Sequence, residues 1–92
     1  MYHVITTKSF EKDVALCIKR GYDMSILKEV MRLLVKDGKL PAKYKPHVLK
    51  EKWKGCWECH LRPDWLMIWE QNDKELILLF TNTGTHADLF KK

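Results

Sequence analysis

Three of the four histidines, His47, His60 and His86, stand in polar surroundings beside turns or strand-like segments. His47 closes a lysine-rich stretch, His60 precedes the turn Arg62-Pro63-Asp64-Trp65, and His86 follows Thr83-Gly84-Thr85. An imidazole titrates at about pH 6.5, so two of them, one neutral and one protonated, can serve as general base and general acid at neutral pH. RNA is the substrate that most needs both. Its 2′-hydroxyl must lose a proton to attack the adjacent phosphate while the departing 5′-oxygen gains one, and that route requires no metal. Singly, each histidine reads more simply as a solvated surface group, so the chemistry depends on the ends of adjacent strands bringing them together.

The charge distribution agrees with a polyanionic partner. Among 92 residues, 17 Lys and Arg against 12 Asp and Glu leave a net charge of +5. The whole excess lies between Lys36 and Lys54, where seven lysines meet only Asp37 and Glu51, and the rest of the chain is balanced. Such a basic connector favours nucleic acid or an acidic protein over a membrane surface. A hydrophobic content of 46% and a charged content of 32% fit one soluble domain over residues 1–92 and exclude a disordered chain. No apolar run approaches the roughly 20 residues of a membrane span, and the opening MYHVITTKSF lacks the apolar stretch of a signal peptide. The expected compartment is therefore the cytoplasm, where three cysteines read as reduced thiols.

Cys56-Trp57-Glu58-Cys59-His60 matches the pattern for covalent haem attachment. Attachment would need an export signal and a helical wrapping for the porphyrin, and neither is visible. A zinc site would need a second cysteine pair or an HxxxH run, whereas His47 and His86 fall on other elements. Neither haem nor metal is expected. In a strand of period two, Trp57, Cys59 and Leu61 share one face and Cys56, Glu58, His60 and Arg62 the other, which makes Cys59 a small core residue.

The elements that must position these groups are legible from periodicity. Tyr2 to Thr6 is rich in β-formers and reads as a strand. Ser9 can cap a helix with Glu11 and Asp13 in its first turn, an apolar stripe of Phe10, Val14, Cys17 and Ile18, and a stop at Gly21. Asp23 can cap a second helix with Leu27, Val30, Met31 and Leu34 on one face, closed by Gly38, and the short turn between them makes an antiparallel hairpin. Periodicity is lost in KLPAKYKPH, which reads as a basic loop. Three strands follow at Gly55 to Leu61, Trp65 to Gln71 and Glu75 to Thr81, the last central and buried on both faces. The expected fold is α+β in the order β-α-α-β-β-β, an antiparallel sheet with two helices on one face and a short helical turn at His86 to Phe90. Trp57 and Trp69 read as structural, and Trp53 as an edge residue able to lean on RNA or a partner.

Three runs carry a family resemblance: His47-Val-Leu-Lys50-x-x-Trp53-Lys54-Gly, then Glu58-Cys-His60-Leu-Arg62-Pro63-Asp64-Trp65, then Thr83-Gly-Thr-His86-Ala-Asp-Leu89-Phe90. In this order, behind a β-α-α segment, they resemble the YafQ branch of the RelE/ParE superfamily of bacterial toxins. The resemblance implies a RelE-like fold and a ribosome-dependent mRNA endoribonuclease, the toxin of a type II toxin–antitoxin pair. Its implied partners are the ribosome, mRNA and a cognate acidic antitoxin. It puts His47, His60, Asp64, His86 and Phe90 in the active site, with Trp65 beside Asp64, and makes Lys50, Lys52, Lys54, Arg62, Trp65 and Asn82 the expected RNA-binding surface residues. His60 or His47 would then be the base and His86 the acid, Asp64 would orient an imidazole, and Phe90 would stack a base. Without the resemblance, Asp64 reads as a turn residue after Pro63 and Phe90 as a helix-end core residue.

The chain departs from the family pattern at Asn82, where an arginine usually precedes the Thr-Gly-[Ser/Thr]-His run. Losing a cation aimed at phosphate costs about 3 kcal/mol of transition-state stabilisation, unless Lys50, Lys52, Lys54 or Arg62 substitutes. Two alternatives remain open at this point: a noncatalytic protein whose basic face docks an acidic antitoxin or nucleic acid, and a ParE-like toxin acting on a topoisomerase. Neither has a use for three histidines together.

Overall fold

The computed structural model describes residues 1–90. Strand β1 (His3–Thr6) leads into helix α1 (Lys8–Lys19), and helix α2 (Met24–Asp37) returns antiparallel to it. Thr7, not Ser9, caps α1: its hydroxyl accepts the Phe10 N–H at 3.0 Å. The strand exit decides this, because the Thr7 N–H bonds Phe80 O at 3.1 Å and its hydroxyl donates to Thr81 O at 3.0 Å, fixing the residue against the sheet. Asp23 caps α2 through the Ser25 N–H, and Gly38 closes the helix at φ 68°. A Cβ at Gly38 would fall 2.5 Å from the Tyr2 hydroxyl, so this position needs glycine for packing as well as for its left-handed backbone.

The basic connector is more ordered than its composition suggests. It holds a 3₁₀ turn at Ala42–Tyr44, strand β2 (His47–Val48) and a second 3₁₀ turn at Glu51–Trp53. Strands β3 (Trp57–Arg62), β4 (Trp65–Asn72) and β5 (Ile77–Gly84) then form a meander, and helix α3 (His86–Phe90) follows. The sheet order is β1-β5-β4-β3-β2. The sheet is mixed rather than wholly antiparallel: β1 pairs parallel with β5, and the other neighbours are antiparallel. The expected order of β-α-α-β-β-β thus holds with one extra strand, β2, too short to leave a period in the sequence.

Phe10 and Cys17 of α1 and Leu27, Val30 and Leu34 of α2 pack on the sheet residues Cys59, Leu61, Trp65, Met67, Trp69, Leu78 and Phe80. Both helices thus cover one face, as the apolar stripes predict. Ile18 does not join the stripe; it is 59% exposed, because it sits at the far edge of the α1 face. β5 is interior, between β1 and β4, but the central strand is β4, and β5 is not buried on both faces: Leu78 and Phe80 are enclosed while Ile77 and Leu79 are half-buried, since among the described residues no helix lies over that end of the opposite face. Among the described residues, no helix is long and apolar enough to cross a membrane.

Candidate active site

The site lies on the sheet face that α1 and α2 leave open. The pleat of β3 turns Cys59 and Leu61 into the core and Glu58 and His60 to the other side. Cross-strand register does the rest: His47 stands opposite Glu58, His60 opposite Leu66, and Leu66 opposite Gly84, two residues before the start of α3. Leu66 and Ile68 are fully buried and form an apolar floor between β3 and β5. The three histidines thereby become neighbours. The ring centroids of His47 and His60 are 6.3 Å apart, and those of His60 and His86 are 5.9 Å apart.

Asp64, at the β3–β4 turn, fixes His86. Its Oδ1 accepts the His86 backbone N–H at 2.9 Å and faces the ring Nδ1 at 2.6 Å. A carboxylate there requires Nδ1 to carry the proton, so Nε2 is the atom presented to a substrate. The His86 backbone N–H first, and then its ring, hold the Asp64 carboxyl below its ordinary range. Both side chains are more than half exposed, so solvent screens the pair and its value lies in orientation.

Glu58 organises the other two rings. Its side chain is only 6% exposed, and its Oε1 lies 3.0 Å from His47 Nε2 and 3.9 Å from His60 Nε2. His47 Nδ1 lies 2.9 Å from the carbonyl of Lys45. An oxygen therefore faces each ring nitrogen of His47, which fixes the orientation of the ring. His60 has no such partner among the described residues: it stands between the other rings, 25% exposed, with Glu58 at 3.9 Å too far for a hydrogen bond. Glu58 was not among the residues expected in the site. Its spacing of two from His60 on a period-two strand was a visible signal, but the pairing with His47 required β2.

Phe90 closes one side. Its ring is 6.5 Å from His86 and edge-on to Trp53 at 5.8 Å, and the residue is 37% exposed. Trp53 belongs to the same connector as Lys50, Lys52 and Lys54, all three exposed beside this wall. Two expected surface residues lie elsewhere. Trp65 is 2% exposed; its indole donates to Thr83 Oγ1 at 3.0 Å and packs on Tyr22 at 4.8 Å. It cannot meet RNA, because the pleat of β4 turns it into the core, where it supports Asp64 from below. Asn82 follows an irregularity in the β4–β5 register, and its amide donates to Asp13 of α1 at 3.2 Å. The same Asp13 oxygen accepts the Thr83 N–H at 3.1 Å, satisfying β5 where β1 has ended. Arg62 is exposed at the groove with Tyr22, Asp23 and Pro63; the Asp23 carboxyl is held below its usual range first by the hydrogen bonds from Ser25 and only last by the Arg62 charge.

The array thus offers one ring held by a carboxylate, one held between two oxygens and one free, beside an aromatic wall and a lysine cluster. No three His, Cys, Asp or Glu side chains among the described residues are grouped to hold a metal ion. Cys59 is fully buried, and burial pushes its thiol up to about 12, far from a thiolate ligand.

Comparison with known proteins supplies the family. The model of the bacterial toxin of type II toxin-antitoxin system, YafQ, matches residues 2–91. The mRNA interferase toxin YafQ of Escherichia coli BL21-DE3 is 49% identical over 82 residues, 88% of this chain and 87% of that protein. A crystal structure of the E. coli DinJ-YafQ complex superposes with a TM-score of 0.89 at 43% identity, covering 98% of this chain and 99% of that one. A metal-bound toxin from Helicobacter pylori gives a TM-score of 0.89 at 37% identity, over 98% of this chain and 100% of the other. With its motifs in order and its fold shared end to end, the chain belongs to the YafQ family of bacterial toxins of type II toxin–antitoxin systems.

Proposed function

We propose that this toxin is an mRNA endoribonuclease that works on the ribosome, in the cytoplasm, by metal-independent histidine acid–base catalysis. The observation that carries the reading is the row of three rings in which Asp64 locks Nδ1 of His86 and leaves Nε2 facing the groove. His60, the ring without an acceptor, takes the 2′-hydroxyl proton as the 2′-oxygen attacks the adjacent phosphorus. The bond from phosphorus to the 5′-oxygen breaks, leaving a 2′,3′-cyclic phosphate, and His86 Nε2 gives that oxygen its proton. Asp64 fixes the orientation of the His86 ring for this step. His47, with Nε2 against Glu58 and Nδ1 against the Lys45 carbonyl, has no ring nitrogen left for the phosphate and serves as a fixed wall that positions His60. Phe90 and Trp53 offer rings on which a base can stack, and Lys50, Lys52 and Lys54 hold the backbone.

Asn82 is engaged with Asp13, so it brings no charge to the phosphate, and the enzyme is correspondingly weaker than one with an arginine at that position. The silencing partner is an acidic antitoxin, as the DinJ complex of the E. coli relative suggests and as the +5 charge favours. The test is cleavage of mRNA on purified, programmed ribosomes with EDTA present. The native chain should cut, and His86→Ala should lose about 10²–10⁴-fold of the rate, the usual worth of an acid–base group. Equal cutting by both would overturn the role of His86, and equal growth arrest without any cleavage would favour a binding toxin of the ParE kind.

A further inference from the structure

The chemistry proposed above leaves open what holds α3 in place. This helix has five residues, none of them buried, and a segment so short has no helical stability of its own. Its orientation nonetheless decides where His86 and Phe90 point. At 100° per residue those two, four apart, share the face toward the site, while Asp88 lies on the opposite side of the turn.

Asp88 is where the rest of the fold takes hold. Its carboxylate accepts two hydrogen bonds from the guanidinium of Arg20, at 2.6 and 3.1 Å. It also accepts the Thr85 N–H at 2.9 Å, while its own N–H donates to Thr85 Oγ1 at 3.0 Å, a reciprocal cap on the first turn. Gly84 makes the approach possible, since a Cβ there would lie 2.8 Å from Asp88 Oδ2 and 3.0 Å from Asp88 Cβ. Arg20 is fixed in turn. It is the C-terminal cap residue of α1, and its guanidinium lies 5.9 Å from the Tyr22 ring, which packs on Trp65 at 4.8 Å. Trp65 is the neighbour of Asp64, and Asp64 holds His86. The contacts form a closed circuit, with Asp64 gripping α3 from the catalytic side and Arg20 from behind.

The geometry points to Arg20 as a positioning residue for catalysis: through its two-pronged contact with Asp88 it sets the rotation of α3 and hence the aim of His86 and Phe90. This rests on the acid–base reading of the site. Neither Arg20 nor Asp88 touches the RNA in that arrangement, so the larger effect falls on the chemical step through His86 and a smaller one on binding through Phe90. A catalytic group displaced by about 1 Å can lose about 100-fold in rate, which bounds the expected effect.

The experiment is steady-state cleavage of ribosome-bound mRNA by Arg20→Gln, Arg20→Lys, Asp88→Asn and the Arg20→Gln/Asp88→Asn pair, with His86→Ala in parallel and thermal unfolding of each protein. Asp88→Asn keeps an oxygen for the Thr85 N–H and removes only the charge that Arg20 grips. Arg20→Gln should lower kcat about 10- to 100-fold with a smaller change in KM, Asp88→Asn should do the same, and the pair should lose no more than either alone. Arg20→Lys, which keeps a cation within reach but not the two-pronged contact, should recover part of the loss. Native kcat in Arg20→Gln and Asp88→Asn beside a dead His86→Ala would overturn the proposal and leave the acid–base reading intact. So would a loss confined to KM, or a loss that Arg20→Lys does not relieve. Full cleavage by His86→Ala would remove both.

Discussion

Glu58→Gln changes one carboxylate to an amide of the same shape at the centre of the site, and its effect can be estimated from the geometry. The side chain is 6% exposed and lies 3.0 Å from His47 Nε2, a ring that is itself 46% exposed. A hydrogen bond to a charged group is worth about 1.5–3 kcal/mol and a neutral one about 0.5–1.5 kcal/mol. Glutamine keeps an acceptor oxygen, so the change forfeits the difference, about 1 kcal/mol, lying at the upper end of the range for exposed pairs because Glu58 is buried. In a chain of 92 residues that lowers the midpoint of thermal unfolding by about 4–8 °C. A double-mutant cycle with His47→Ala should return a coupling of about 1 kcal/mol, since the two residues touch. His47 also loses its anchor, so single-turnover cleavage should fall by about tenfold, within the range for a misplaced group. The assays are calorimetry of the purified toxin and cleavage on programmed ribosomes. An unchanged midpoint and unchanged rate would refute the view that Glu58 holds His47, as would a coupling indistinguishable from zero.

Three further outcomes are expected. Asn82→Arg should raise cleavage only modestly, because Asp13 stands ready to pair with the new cation, and Asp13→Asn in the same chain should release the gain; single-turnover rates no higher than native in the double variant would show that no charge is missing at position 82. The carboxyls of Asp64, held down by the His86 backbone N–H and ring, and of Asp88, held down first by Arg20, both ionise more readily in the folded chain than in the unfolded one. Their contribution is therefore complete above about pH 4 and is lost as pH falls from there through the native values. Urea midpoints followed into acid should drop less steeply in Asp64→Asn and Asp88→Asn than in the native chain. Finally, Cys17 and Cys59 are buried with raised pKa values, so iodoacetamide at neutral pH should spare both and reach Cys56 first, as read by mass spectrometry.

The sequence by itself determined what local rules control. The caps Asp23 and Gly38, the apolar faces of α1 and α2, the period-two pattern that separates Cys59 from Glu58 and His60, and the basic connector all follow from residue type and spacing along one element. Three ordered motifs also carried the family. What depended on the tertiary structure were pairings across the chain. The parallel contact of β1 with β5 and the two-residue strand β2 bring together segments distant in sequence, and neither leaves a period to read. Glu58 entered the site only because β2 places His47 opposite it. Trp65 left the surface because a pleat assigns faces relative to a core, and one residue from Asp64 is the other side of the sheet. Asn82 turned to Asp13 because β1 ends short of it and leaves the edge of β5 for α1 to satisfy. The grip of Arg20 on Asp88 spans 68 positions, a separation that only folding closes.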